Sequence, residues 1–267
     1  MIRQLFTKYL GIYTTQSKSL MVAITLSFIS LSFTGCGLDI EDPSPPPPPV
    51  WVQKSLPEEW PERGIDAHES GGIYLEWELN PDEDIAGYFL YRATWYDVND
   101  SLGEFDLIAH LETESLAEGE YIDRQIVTRI RYFYKIKSQD LSDNISEFSD
   151  SLSFSLLPEI KIWSMSPNGL ADLLGTAREL KWRTTTDIET EDYCITLLRE
   201  DNDFIARDVV SPGNYIGGLE SYQISINIGL VANQIYKWRI DTGAIYMDGR
   251  ETVGSESSWA TFLYAGN

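Results

Sequence analysis

The sequence predicts an all-β chain built as two tandem β-sandwiches, and three observations carry that prediction. Apolar and polar residues alternate with period two: Ile73, Leu75, Trp77 and Leu79 against Tyr74, Glu76 and Glu78, and later Ile130, Tyr132, Tyr134 and Ile136. That is the pattern of a half-buried strand. No segment after Pro61 sustains a helical period. Finally, the anchors recur at one offset. Trp77 to Trp182 is 105 residues, Tyr88 to Tyr193 is 105, and Tyr132 to Tyr236 is 104. Three anchors at one spacing mean an internal duplication of one sandwich unit.

The first segment, residues 1–35, is not part of either unit. Arg3, Lys8 and Lys18 precede an apolar stretch from Leu20 to Phe33, with no acidic residue among them. This order of charge, apolar stretch and small residue is the layout of a secretory signal. The apolar run is shorter than the roughly 20 residues of a spanning helix. It is also interrupted by Thr25, Ser27, Ser30 and Ser32. The run Leu31-Ser32-Phe33-Thr34-Gly35-Cys36 resembles a bacterial lipobox. The resemblance implies that Cys36 carries the lipid of a membrane-anchored lipoprotein. Residues 36–60 then form an acidic, proline-rich linker. Asp39, Glu41 and Asp42 resemble the signals that send some Bacteroidetes-type lipoproteins to the outer face. The expected location is the cell envelope, lipid-anchored at the outer membrane and displayed at the surface. Pro45 to Pro49 are consecutive prolines. In polyproline II they form a stiff spacer of roughly 15 Å, a stalk under the folded part.

The first sandwich is expected over 61–157 and the second over 158–267. In the first, the strand of Trp77 is followed by the acidic turn Asn80-Pro81-Asp82-Glu83-Asp84 and then by Gly87-Tyr88-Phe89-Leu90-Tyr91-Arg92. In the second, Leu180 and Trp182 precede another acidic turn, after which Tyr193, Ile195 and Leu197 alternate. Both units resemble fibronectin type III domains, the second also a generic immunoglobulin-like sandwich. The frame leading into the sixth strand falls on Ile126, Thr128, Ile130, Tyr132, Tyr134, Ile136 and Ser138, and again on Leu230, Ala232, Gln234, Tyr236, Trp238, Ile240 and Thr242. The resemblance implies that Tyr132 and Tyr236 are tyrosine corners, with hydroxyls tied to backbone a few residues upstream. Both units lack the proline of the family's frame. The large aromatics are read as core, since each removes roughly 150–250 Å² from water.

Composition narrows the function. Without residues 1–35 the chain has 17 Lys plus Arg against 42 Asp plus Glu. So acidic a chain repels nucleic acid and anionic headgroups, and nucleic acid is excluded as a partner. With Cys36 lipidated, Cys194 is alone and no disulfide or cysteine metal cluster can form. His68 and His110 are 42 residues apart and fall in no metal-binding frame. Nucleophile-elbow, P-loop and zincin motifs are absent, so an enzyme is not expected, nor a cofactor or a metal site. Acids cluster at 97–106 and 140–150, but the first has Leu102 where a calcium loop needs Gly. Asp140-Leu-Ser-Asp-Asn reads as a turn.

Alternation also points to a binding face. If Tyr88, Leu90, Tyr132, Tyr134 and Ile136 face inward, then Phe89, Tyr91 and Phe133 face outward on neighbouring strands, with Arg131, Lys135 and Lys137 beside them. Clustered exposed rings mark binding surfaces. The span 242–256, which contains Asp248-Gly249-Arg250, is a second candidate loop. It is seven residues longer than its counterpart if Ser146 is equated with Ser257. The expected work is non-catalytic: surface adhesion to, or scaffolding of, proteins or glycans. The alternative is an accessory or assembly subunit of an envelope machine for secretion, motility or polysaccharide processing.

Overall fold

The structure, a computed structural model, describes residues 43–53, 64–98, 100–113, 119–169, 172–174, 178–184, 192–213, 218–245 and 251–266. The signal segment and Cys36 lie outside them. Among the described residues, nine strands make the first sandwich: β1 (Val50–Trp51), β2 (Ile65–Ala67), β3 (Ile73–Glu78), β4 (Ile85–Tyr96), β5 (Ser101–Leu102), β6 (Asp106–Glu112), β7 (Glu120–Asp123), β8 (Arg131–Asp140) and β9 (Leu152–Leu156). One layer has β3 in the middle, with β1 and β2 on one edge and β7 on the other. The facing layer runs β6–β4–β8–β9. That is the two-layer strand order of a fibronectin type III sandwich. The inward residues of both layers meet in a single core, with Ile73, Leu75, Leu90, Tyr134, Ile136 and Phe154 fully buried.

The second sandwich repeats the plan with β10 (Asp172–Leu174), β11 (Glu179–Arg183), β12 (Asp192–Arg199), β13 (Phe204–Val210), β14 (Leu219–Gln223), β15 (Gln234–Ile245), β16 (Glu251–Glu256) and β17 (Ala260–Gly266). β11 pairs with β14 in one layer, while β13–β12–β15–β17 form the other. β10 adds a parallel strand along β17. The chain is thus all-β, with two β-sandwiches in tandem. The duplicated anchors occupy equivalent places. The Trp77 and Tyr88 rings are 5.5 Å apart, and those of Trp182 and Tyr193 are 5.3 Å apart. The Tyr132 hydroxyl accepts from Val127 N (3.0 Å) and the Tyr236 hydroxyl from Val231 N (2.7 Å).

The proline run corrects the expected boundary at residue 61. Pro46 and Pro49 are buried while Pro45, Pro47 and Pro48 are exposed. Burial every third residue is the repeat of polyproline II, which has three residues per turn. The Pro47 carbonyl accepts from Ser138 Oγ (2.9 Å) and Asn80 Nδ2 (3.2 Å). Trp51 is 4% exposed and belongs to the core, and its indole donates to the Asp150 carbonyl. The run is therefore the lead-in to the first strand, docked on the sandwich, and not a stalk clear of it. β1 and β2 lie along the same edge of β3. Gly64, just before β2, has φ +69°, and a Cβ there would stand 2.5 Å from the Glu76 carbonyl oxygen, a placement open only to glycine.

The span 242–256 is corrected as well. It is an antiparallel hairpin arm of β15 and β16, with Asp248-Gly249-Arg250 outside the described residues. The arm has a partner. β16 lies parallel to β9, Val253 opposite Ser155 and Gly254 opposite Leu156. Leu157 N donates to the Gly254 carbonyl (2.7 Å), and Ser255 Oγ donates to the Pro158 carbonyl. At this seam β9 and β16 join a layer of each sandwich into one sheet, eleven-stranded among the described residues.

Candidate functional site

The outward face of β4, β6 and β8 is built by period-two alternation. Tyr88, Leu90, Tyr132, Tyr134 and Ile136 are buried, which sends the intervening residues to the other side. Across the pair, Phe89 stands opposite Lys137 and Tyr91 opposite Lys135. On the far edge of β4, His110 stands opposite Phe89 and stacks on it at 4.3 Å and 15°.

The rings do not stand free as the alternation alone implies. Phe89, Tyr91 and Phe133 are half-buried, because each is covered by a neighbour. Phe89 is covered by His110, Tyr91 by Phe148 (edge-on, 5.1 Å) and Phe133 by Trp95 (5.9 Å). Phe148 is 38% exposed and is the hub of the face. Lys137 Nζ lies 4.3 Å from its centroid and Lys135 Nζ 5.4 Å, with Lys135 also 4.7 Å from Phe105. An ammonium over a ring face is held by the ring quadrupole and keeps its charge. Among the described residues, Lys135, Lys137 and Arg131 have no carboxylate partner.

The six expected residues therefore divide. Phe89, Tyr91, Lys135 and Lys137 form one cluster. Phe133 pairs with Trp95 one step down the strand, and Arg131 lies opposite Ser155 on β9. From Arg131 to Lys137 is about 20 Å of strand, so Arg131 is not part of the cluster. Three members were missed: Phe105, His110 and Phe148. Phe148 sits in the irregular stretch before β9, where no alternation applies. The signal for it was Ser149. Ser149 and Ser257 each accept from the N–H of an inward isoleucine, Ile136 (3.1 Å) and Ile240 (2.9 Å). Their own N–H groups bond back to the same isoleucines. The equivalent of Ser257 is thus Ser149 and not Ser146, and the second connection is four residues longer rather than seven.

Other polar clusters are structural. Asp123, almost fully buried, accepts from Arg92 (2.7 Å), the Tyr134 hydroxyl (3.0 Å) and Gln125 N (3.0 Å). Burial works to lower the Arg92 pKa, but the Asp123 bond and charge outweigh it and raise it. Burial, then the Asp123 charge, push the Tyr134 hydroxyl far up. This cluster ties β7 to β4 and β8 across the sandwich. Asp140 closes the turn after β8. Its Oδ1 accepts from Ser142 N and Asn144 N, and its Oδ2 from Asn144 Nδ2. Both oxygens are therefore already engaged within the turn. Cys194 is buried and unbridged.

No family model matches the chain, and no curated protein matches it. Among solved structures it is similar to the FN1–FN3 domains of chicken CNTN1, at 14% identity and TM-score 0.32, over 82% of this chain and 69% of that one. It is similar also to a two-domain fibronectin type III segment of chicken tenascin, at 13% identity and TM-score 0.28, over 80% of this chain and 96% of that one. A β-1,2-glucanase from Parabacteroides distasonis matches 43% of this chain at 22% identity and TM-score 0.30. The chain spans 14% of that enzyme's length. The fold stands on the strand pairing above, and these scores add no argument to it.

Proposed function

We propose that this protein is a non-catalytic, lipid-anchored module of the cell envelope that holds a surface partner, protein or glycan, on the outer face of its first sandwich. The observation that carries the reading is the cluster of Phe89, Tyr91, Phe148, Lys135 and Lys137. Rings and cations that have no carboxylate partner among the described residues, gathered on one sheet face, are what a binding surface needs. The anchor rests on the lipobox-like run ending at Cys36. It places the face at the envelope, where a scaffold or adhesion module would work.

Two measurements test the reading. Cys36→Ala should move the protein from the membrane fraction to the soluble one. A mutant that stays membrane-bound, or an unmodified Cys36 by mass spectrometry, removes the anchor. For the face, Tyr91→Ala with Phe148→Ala should abolish capture of envelope components while the fold is kept. Full capture by that variant would rule the face out.

A further inference from the structure

The two sandwiches carry the same positions on their outer faces, and they fill them with opposite chemistry. At the 104-residue offset, Lys135 corresponds to Arg239 and Lys137 to Asp241. The Ser149–Ser257 equivalence makes Phe148 correspond to Glu256. The pairing register agrees: Tyr91 stands opposite Lys135 as Thr196 stands opposite Arg239, and Phe89 opposite Lys137 as Cys194 opposite Asp241. In the second sandwich the guanidinium of Arg239 is neutralised by Asp241 (3.0 Å) and Glu256, under the ring of Trp259 (5.0 Å). Thr196 and Cys194 beside it are buried. There the cation has its counter-charges beside it. In the first sandwich both carboxylate positions are replaced, one by a second cation and one by a ring. Two ammonium groups share Phe148 with no counter-charge among the described residues.

We propose that this open face binds a glycan bearing a carboxylated sugar. The carboxylate sits between Lys135 and Lys137, and the sugar's C–H face lies against the exposed Phe148 ring and the half-buried Tyr91 beside it. This rests on the reading of the face given above and adds the class of ligand. The two lysines are two residues apart on one strand, about 6.7 Å. One carboxylate, with two acceptor oxygens, can bond both. The ligand thereby supplies the negative charge that Asp241 and Glu256 supply within the second sandwich. The π-faces carry negative charge and favour C–H groups, which a sugar ring presents in a plane. An acidic protein loop would meet the lysines but leave the rings unmatched. Dense polyanions are opposed by the chain's net charge of −22, felt out to a screening length of about 8 Å. Isolated carboxylates on an otherwise neutral glycan escape most of that repulsion.

The test uses the full-length chain in detergent and oligosaccharides in matched pairs, such as xylo-oligosaccharides with and without a glucuronic acid branch. The decisive variant transplants the second sandwich's own solution, Lys137→Asp with Phe148→Glu, and circular dichroism checks its fold. A second variant, Lys135→Gln with Lys137→Gln, removes charge and keeps the stems. The acidic member of each pair should bind at least roughly tenfold tighter than the neutral one, the scale of one charged hydrogen bond. Both variants should erase that preference, as should raised salt. Equal binding of neutral and acidic members, lost on Tyr91→Ala, would overturn the charge inference and leave the face reading standing. Binding untouched by any of these variants would overturn both. If no pair member binds the wild-type chain, the carboxylated-glycan inference fails.

Discussion

Tyr132 and Tyr236 do the same work 104 residues apart, and their hydroxyls can be separated from their rings. Each oxygen accepts one backbone N–H, from Val127 or Val231. Those N–H groups lie in exposed turns that water can reach, so losing the acceptor should cost only about 1 kcal/mol. Losing the buried ring should cost about 3–5 kcal/mol. Tyr132→Phe and Tyr132→Ala should therefore differ severalfold in destabilisation by urea titration. Equal effects would mean that the hydroxyl, not the ring, fixes the corner. Asp140 gives a pH-dependent counterpart. Burial works to raise its carboxyl pKa, but the bonds from Asn144 and Ser142 prevail and hold it below the usual range. A depressed carboxylate contributes stability above its unfolded pKa of about 3.9 and loses it as pH falls through the folded value. Asp140→Asn should thus be less stable than wild type at neutral pH, and the gap should narrow below about pH 4. A gap that stays constant down to pH 2 would assign the loss to side-chain shape instead of charge.

At the scale of elements, what was legible followed from local pattern. β3 and β8 lie where period-two burial runs unbroken, and β4, β12 and β15 carry alternating apolar anchors that enter the core of their own sandwich. β1 was not legible, because prolines cannot donate to a ladder and argue against a strand. What the run does is different: it stays polyproline-like, buries one residue in three, and passes into an edge strand at Val50. A stalk and a docked lead-in make opposite forecasts. Pro46→Ser and Pro49→Ser should lower the melting temperature of the first sandwich by a few degrees, whereas Pro48→Ser should leave it unchanged. Three equal, negligible effects would return the run to a free spacer. The binding face shows the same limit. Phe89, Tyr91, Lys135 and Lys137 were legible because they lie on alternating strands. Phe148 was hidden by a wrong equivalence, Ser146 for Ser149, in a stretch where spacing is set by hydrogen bonds and not by pleat.

For the whole molecule, the seam between β9 and β16 is the feature no local reading reaches. It joins residues about 100 positions apart through backbone groups, and backbone pairing leaves no mark on side-chain pattern. Its physical logic is that of an edge. β9 ends the outer layer of the first sandwich, and an uncovered edge is open to pairing with other chains. The long β15–β16 arm covers it from within the same molecule, so the added length of that arm serves the joint rather than a ligand. The two cores remain separate, one ending at Leu156 and the other starting at Ile160, so the coupling runs through β16, which pairs with β9 and also lies against β2. Replacing residues 243–254 by Asn-Gly would keep Thr242 opposite Ser255 across a two-residue hairpin of favoured type. The Val253 and Gly254 contacts to β9 would be lost with the excised arm. The second sandwich should still fold, because its core lies outside the excised residues. The wild-type chain should then melt as one cooperative unit and the shortened chain as two, with hydrogen exchange at the Leu157 amide sharply faster. A wild-type chain that already melts in two steps, with a Leu157 amide no more protected than in the variant, would reduce the seam to a passive contact.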